Sequence, residues 1–301
     1  MTNTVELCEV SKRYGGFVAV DALSFQVSQG GVYGLLGPNG AGKTSTLRMM
    51  IGTTAPDLGE VRLFGERFHR RHLARVGYLP EERGLYKRME VLEHLVLLAE
   101  LRGQVRAVAR QQALRWCERL EIAAWARKRV EALSKGMQQK VQFIGAVLHD
   151  PDLLILDEPF SGLDPANANT LRDVLLEMKR EGKTILFSSH RMDQVERLCD
   201  AICLVNRGKV VLEGELSSLK GRYGSNRVRL QYDGNNDFLR DQRLVQSFND
   251  YGRFAEIQLQ PDADPQELLR RALANARITE FALQEPSLEE IFLQAVGRPD
   301  A

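Results

Sequence analysis

The sequence predicts an α/β protein built on a mainly parallel sheet with helices packed around it, followed by a smaller α+β module. Short apolar runs at 32–36, 153–156, 184–187 and 202–205 are too brief for helices and have little polar alternation, the pattern of strands buried on both faces. Helical patterns at 44–51, 168–180 and 194–198 alternate with them, which argues for parallel strands joined by helical crossovers. Beyond the turns at 206–208 and 213–214 the pattern changes to alternating strands and separate helices, and 301 residues favour two domains over one.

In chain order, residues 4–10 and 18–36 read as strand-like runs, the last of them entering a glycine-rich turn. Residues 61–64 and 75–78 read as further strands. Amphipathic patterns at 91–101 and 107–120 then form a helical insertion spanning about 85–150, before the β pattern resumes at 153. These elements make a first domain over 1–214. In the second, 215–301, residues 227–232 and 255–259 read as strands and 238–248, 265–276 and 287–296 as helices, a βαββαβ-like order. Leu288, Ile291, Phe292 and Leu293 give its last helix an apolar face.

At 44% hydrophobic and 27% charged, the composition excludes disordered, collagenous and disulfide-scaffold classes. A formal charge of +1 advertises no global basic field, and no nucleic-acid partner is expected. No apolar stretch approaches the ~18 residues that span a bilayer. The first ten residues lack the basic and apolar regions of a secretory signal, so a cytoplasmic location is expected. Cys8, Cys117, Cys199 and Cys203 are scattered without companion ligands and read as small buried hydrophobes.

The chemistry begins with Gly37, Pro38, Asn39, Gly40, Ala41, Gly42, Lys43 and Thr44, followed by Ser45. This run matches G-x-x-x-x-G-K-[ST] between a predicted strand and a predicted helix, the context in which backbone N–H groups cradle phosphates. Lys43 then adds a charge on the β and γ phosphates, and Thr44 a hydroxyl for Mg²⁺. The run Leu153-Leu-Ile-Leu-Asp157-Glu158 is a buried strand ending in two carboxylates that alternation sends to different sides. Asp157 suits the Mg²⁺ shell, and Glu158 suits the general base that deprotonates an attacking water. A phosphate loop alone fits a kinase, GTPase, helicase or transport ATPase; the absence of an Asn-Lys-x-Asp run disfavours the GTPase.

Leu133-Ser134-Lys135-Gly136-Met137 ahead of a helix, Ser161-Gly-Leu-Asp164 and His190 complete, in this order, a set that resembles the ATP-binding cassette (ABC) ATPases. Alone, Tyr14 would be a surface aromatic, Asp164 a turn residue and His190 a helix cap. The resemblance implies a P-loop NTPase cassette, with a RecA-like core and a helical subdomain, that binds ATP and Mg²⁺. It implies that Tyr14 stacks on adenine, that Ser134 and Gly136 cap the γ-phosphate of a nucleotide held by a second protomer, that Asp164 lies at the dimer seam, and that His190 contacts the γ-phosphate. Glu81 stands where the family usually has a glutamine near the metal, Lys135 replaces a glycine, and Met137 replaces a glutamine. The run Leu79-Pro-Glu-Glu-Arg-Gly-Leu-Tyr86 and the ending Glu285-Pro-Ser-Leu-Glu-Glu-Ile-Phe292 resemble the ATPase subunits of bacterial ABC-2-type sodium and drug exporters. That subgroup implies a homo- or heterodimer, peripheral on the inner face of the plasma membrane, driving a separate multi-spanning permease. A soluble ABC ATPase acting on ribosomes or DNA is disfavoured by the single phosphate loop and the absence of sustained heptads. A regulatory pseudo-enzyme is opposed by the intact Lys43, Asp157, Glu158 and His190.

Overall fold

The computed structural model describes residues 3–82, 84–223 and 226–297, so Arg83 of the run 79–86 lies outside the described residues. The chain divides into two compact units, Met1–Glu215 and Leu216–Ala301.

The first unit opens with the antiparallel strands β1 (Asn3–Tyr14) and β2 (Phe17–Ser28), then β3 (Val32–Leu36), α1 (Lys43–Met50), β4 (Leu58–Leu63), β5 (Glu66–Arg67) and β6 (Val76–Leu79). The helical insertion follows as α2 (Val91–Glu100), α3 (Arg106–Arg119) and α4 (Lys135–Val147). The core resumes with β7 (Leu153–Asp157), α5 (Pro165–Arg180), β8 (Thr184–Ser189), α6 (Met192–Glu196), β9 (Ala201–Asn206) and β10 (Lys209–Glu215). Every residue of β3, β7 and β8 is buried, as continuous apolar runs between two covering layers must be. They sit inside a six-stranded sheet of order β10-β9-β3-β8-β7-β6, parallel except at β10. A second sheet, β2-β1-β4-β5, is antiparallel.

Two details of the sequence reading change here. Residues 213–214 are not a turn but lie inside β10; the turn is Arg207-Gly208, both at positive φ (49° and 80°), the geometry of a tight two-residue hairpin. Cys117, Cys199 and Cys203 are buried, but Cys8 is exposed, because strand alternation in β1 buries Val5 and Leu7 and turns Cys8 to the opposite face. No helix among the described residues is long and apolar enough to cross a membrane.

The second unit contains α7 (Leu216–Arg222), β11 (Arg227–Gly234), β12 (Val245–Asp250), β13 (Phe254–Leu259), α8 (Pro265–Asn275), β14 (Ala276–Gln284) and α9 (Leu288–Gly297). The helix expected at 238–248 does not form. A single 3-10 turn, Asp237–Arg240, buries Phe238 and Leu239; the Asp241 carboxylate accepts from Arg243 N (3.0 Å), and the chain then pairs with β13 as β12. The apolar spacing of Phe238, Leu239, Leu244 and Val245 imitates a helical stripe, but these side chains meet in one core around a bend. Strand β14 had no counterpart in the sequence reading; it pairs antiparallel with β11. The resulting antiparallel order β12-β13-β11-β14 is a ferredoxin-like βαββαβ arrangement with the first helix shrunk to one turn. In α9, Leu288 and Ile291 are buried while Leu293 is 63% exposed.

In the first unit, β6 approaches α4 backbone to backbone at Gly77, where an added Cβ would fall 2.3 Å from the Ala146 carbonyl oxygen. We predict that Gly77→Ala overpacks this contact and destabilises the first unit by about 1–3 kcal/mol. Thermal unfolding followed by circular dichroism measures it; an unchanged midpoint would show that the helix and strand can part without loss.

Candidate nucleotide-binding and hydrolysis site

The parallel strands β3, β7 and β8 end at the same edge of their sheet, where open α/β folds place their ligands. The chain leaving β3 wraps through Gly37 (φ 152°), Gly40 (φ 79°) and Gly42 (φ 106°). A Cβ on Gly37 would lie 2.1 Å from the Val205 carbonyl oxygen, and one on Gly42 2.4 Å from that of Ala19, so glycine is required at both for space as well as for φ. Helix α1 starts directly after Gly42 with no side-chain cap, which leaves its first N–H groups free to meet an anion.

These elements open a cleft of about 320 Å³. The loop residues Asn39, Gly40, Ala41, Gly42, Lys43, Thr44 and Ser45 form its floor. Tyr14, Phe17 and Ala19 of the β1–β2 hairpin form one wall, and Glu81, Asp157 and Glu158 the other. Tyr14 and Phe17 are 45% and 62% exposed, so both rings face solvent at the rim. Lys43 is buried; its Nζ donates to the carbonyls of Gly37 (2.7 Å) and Pro38 (3.2 Å) and lies 3.7 Å from Glu158 Oε1. Burial pulls its pKa down, and the carboxylates of Glu158 and Asp157 partly offset that.

The two carboxylates differ because β7 stops between them. Asp157, the last strand residue, is 1% exposed, while Glu158 turns into the left-handed region (φ 49°), a strained position held by its surroundings. Glu158 Oε1 accepts from His190 Nδ1 at 2.9 Å. Ser188 ties the pair together: its Oγ accepts from Glu158 N (3.0 Å) and donates to Asp157 Oδ1 (2.5 Å). Asp157 Oδ2 is buried without a protein partner, as expected of an oxygen reserved for a cation. The segment carrying Glu81 is held from α4, where Gln142 Nε2 donates to the carbonyls of Pro80 (2.7 Å) and Glu82 (3.2 Å).

Ser134, Gly136 and Asp164 do not line this cleft. Ser134 caps α4, its Oγ accepting from Met137 N (3.2 Å), and Asp164 caps α5, accepting from Asn167 N (2.9 Å) and Nδ2 (2.6 Å). Those bonds hold the Asp164 carboxyl below the usual range. The two loops are neighbours, since a Cβ on Gly136 would sit 3.6 Å from Leu163.

The profile of the family described as "ABC transporter" matches residues 20–161, and that described as "ATP-binding protein DrrA1-3-like, C-terminal domain" matches residues 214–296. An uncharacterized ABC transporter ATP-binding protein of Bacillus subtilis, YhaQ, is 41% identical over 96% of this chain and 97% of its own length. The chain belongs to the ABC transporter ATP-binding proteins. The Nod factor export ATP-binding protein I of Paraburkholderia xenovorans is 41% identical over 71% of this chain and 72% of its own. A solved structure described as the ATP-binding subunit of an ABC transporter is 31% identical with a TM-score of 0.67, covering 73% of this chain and 93% of that one. The chain is thus an ATP-binding cassette ATPase of the ABC-2 type subgroup with a DrrA1-3-like C-terminal domain.

Sequence reasoning missed three residues of the cassette site. Phe17 shares the cleft wall with Tyr14, and only the hairpin turn between them brings the rings together. Gln142 looks like one polar residue of a helix. Ser188 was visible as a hydroxyl two residues before His190, but its role depends on lying opposite Asp157 in the β7–β8 pairing. Ser188→Ala leaves one buried carboxylate oxygen and one buried N–H without partners, a loss of about 1–3 kcal/mol each. We predict a lowered unfolding midpoint together with at least tenfold slower ATP turnover, measured by phosphate release; wild-type turnover would show that Ser188 does not position the carboxylates.

Proposed function

We propose that this chain is the ATP-hydrolysing subunit of a bacterial exporter, working as a head-to-tail pair of cassettes on a separate transmembrane permease. The observation that carries the reading is the grouping of Lys43, Asp157, Glu158 and His190 around one phosphate loop, with Ser134 and Asp164 exposed, and Gly136 half-buried, outside the same cleft. Their place outside it supports the idea that they serve a nucleotide held by another copy, homologous or identical. The export function named for the Nod factor relative and the DrrA1-3-like second domain support the exporter role. The inner face of the plasma membrane is where such a subunit would work.

In hydrolysis, the backbone N–H groups from Asn39 to Ser45 bind the phosphate oxygens, and Lys43 gives up its carbonyl partners to reach the β and γ phosphates. Tyr14, with Phe17 beside it, stacks on the base. Glu158 accepts the proton of the attacking water, and His190 holds its carboxylate in place and senses the γ-phosphate. Thr44, Asp157 and Glu81 fit a Mg²⁺ ion, which would neutralise phosphate charge as the bond to the leaving group breaks.

Glu158→Gln keeps the shape but cannot accept a proton, so turnover should fall roughly 10²- to 10⁴-fold while ATP stays bound. The variant should also accumulate an ATP-bound dimer in analytical ultracentrifugation. Hydrolysis near the wild-type rate would place the base elsewhere. The exporter role is checked separately by whether the native chain sediments with membranes and a multi-spanning partner or with ribosomes. For Tyr14→Ala, loss of a stacking contact of about 1–3 kcal/mol should weaken ATP binding about 5- to 150-fold with little change in kcat. Equal affinity in a fluorescent-nucleotide titration would leave Tyr14 a surface aromatic.

A further inference from the structure

The charges lining the cleft do not balance. Three carboxylates, Glu81, Asp157 and Glu158, face a single ammonium, that of Lys43, which leaves two negative charges over before a triphosphate adds its own. Lys43 already lies 3.7 Å from the Glu158 carboxylate. A divalent cation held by Asp157 would sit with the phosphates it neutralises. Glu81 is exposed, and no ion pair joins it to another described residue. Its carboxylate adds negative charge beside the phosphates, and no ion pair among the described residues offsets it.

The complementary charge lies at Lys135. It is the first residue of α4, directly after the cap Ser134, and it is exposed. Neither an ion pair nor a hydrogen bond holds its ammonium among the described residues, and it does not line the cleft. An unpaired cation beside Ser134 and a cleft short of one cation match when two copies face each other with Ser134 over the opposite phosphates.

We propose that Lys135 of one protomer enters the cleft of the other and offsets Glu81 beside the γ-phosphate, so that Glu81 and Lys135 form a compensating pair across the ATP-bound dimer. The pair makes dimer closure depend on charge at one specific place. It also explains why a carboxylate is tolerated where it would otherwise oppose the nucleotide. This rests on the head-to-tail reading given above. Two unit charges a few ångströms apart near a protein surface are screened by water and salt, so a tenfold effect is the scale to expect.

The test is a charge cycle on the full chain carrying Glu158→Gln, with ATP-driven dimerisation read by analytical ultracentrifugation instead of turnover. Glu81 and Lys135 are both exposed, so their variants should fold. Lys135→Ala should raise the ATP concentration for half-dimerisation about tenfold, equivalent to about 1.4 kcal/mol. Lys135→Arg should restore closure, and Glu81→Gln combined with Lys135→Ala should recover most of the loss. Added salt should shrink the difference. If Lys135→Ala loses the same factor whether residue 81 is Glu or Gln, the two do not interact and the pairing is overturned while the dimer stands. If the Glu158→Gln chain with Glu81 and Lys135 intact does not dimerise with ATP at all, the head-to-tail reading fails and the pairing with it.

Discussion

The site hangs on the parallel pairing of β7 with β8, which sets Asp157 opposite Ser188. That register lets one hydroxyl bind both the side chain of Asp157 and the backbone of Glu158, and so hold a left-handed residue at the point where the strand ends. Two residues further along the same strand exit, His190 meets the Glu158 carboxylate. A slip of one residue in this pairing would turn Ser188 to the other face and separate all three groups. The wholly buried strands make such a slip costly, because every side chain they carry fills the core.

Burial also sets the electrostatics. Lys43 is held in a poorly solvated place where its charge is disfavoured, and the carboxylates opposite restore part of what desolvation takes. Tyr78, half-buried at the end of β6, has its pKa pushed up to about 12, mainly by burial and then by the Asp157 charge. The loop carbonyls that bind Lys43 act as a parking position: they satisfy the ammonium without neutralising it, so the charge remains available to phosphate. A phosphate loop surrounded by this many acids is arranged for a cationic supplement, whether a divalent ion, a side chain from another copy, or both.

The second unit has a different logic. Its four antiparallel strands close a small core of Val228, Leu230, Ile257, Leu259 and Leu268 with Phe238 from the 3-10 turn. Tyr232 both stacks edge-on against Phe238 and bonds the Asp250 carboxylate (2.7 Å), joining core and surface at the end of β12. Nothing in its sequence resembles the glycine loop or the carboxylate pair of the first unit.

Much of this protein was legible in its sequence because the decisive signals are local. A strand running into Gly37–Thr44 and a helix, or an apolar run ending in Asp157-Glu158, states its backbone path and its chemistry within ten residues. The strands of the parallel sheet were legible for a similar reason, since burial on both faces leaves a continuous apolar run. Tertiary structure decided the rest. The stretch 238–248 has apolar spacing that a helix and a bent turn plus strand satisfy equally well, and only the vacancy beside β13 in the sheet made it β12. Residues 276–284 became β14 because β11 offered a free edge, which no local pattern records. Ser188, Phe17 and Gln142 have ordinary neighbours in sequence; their roles arise from pairing register, a hairpin and a helix crossing, interactions between residues far apart in the chain that local propensity does not encode.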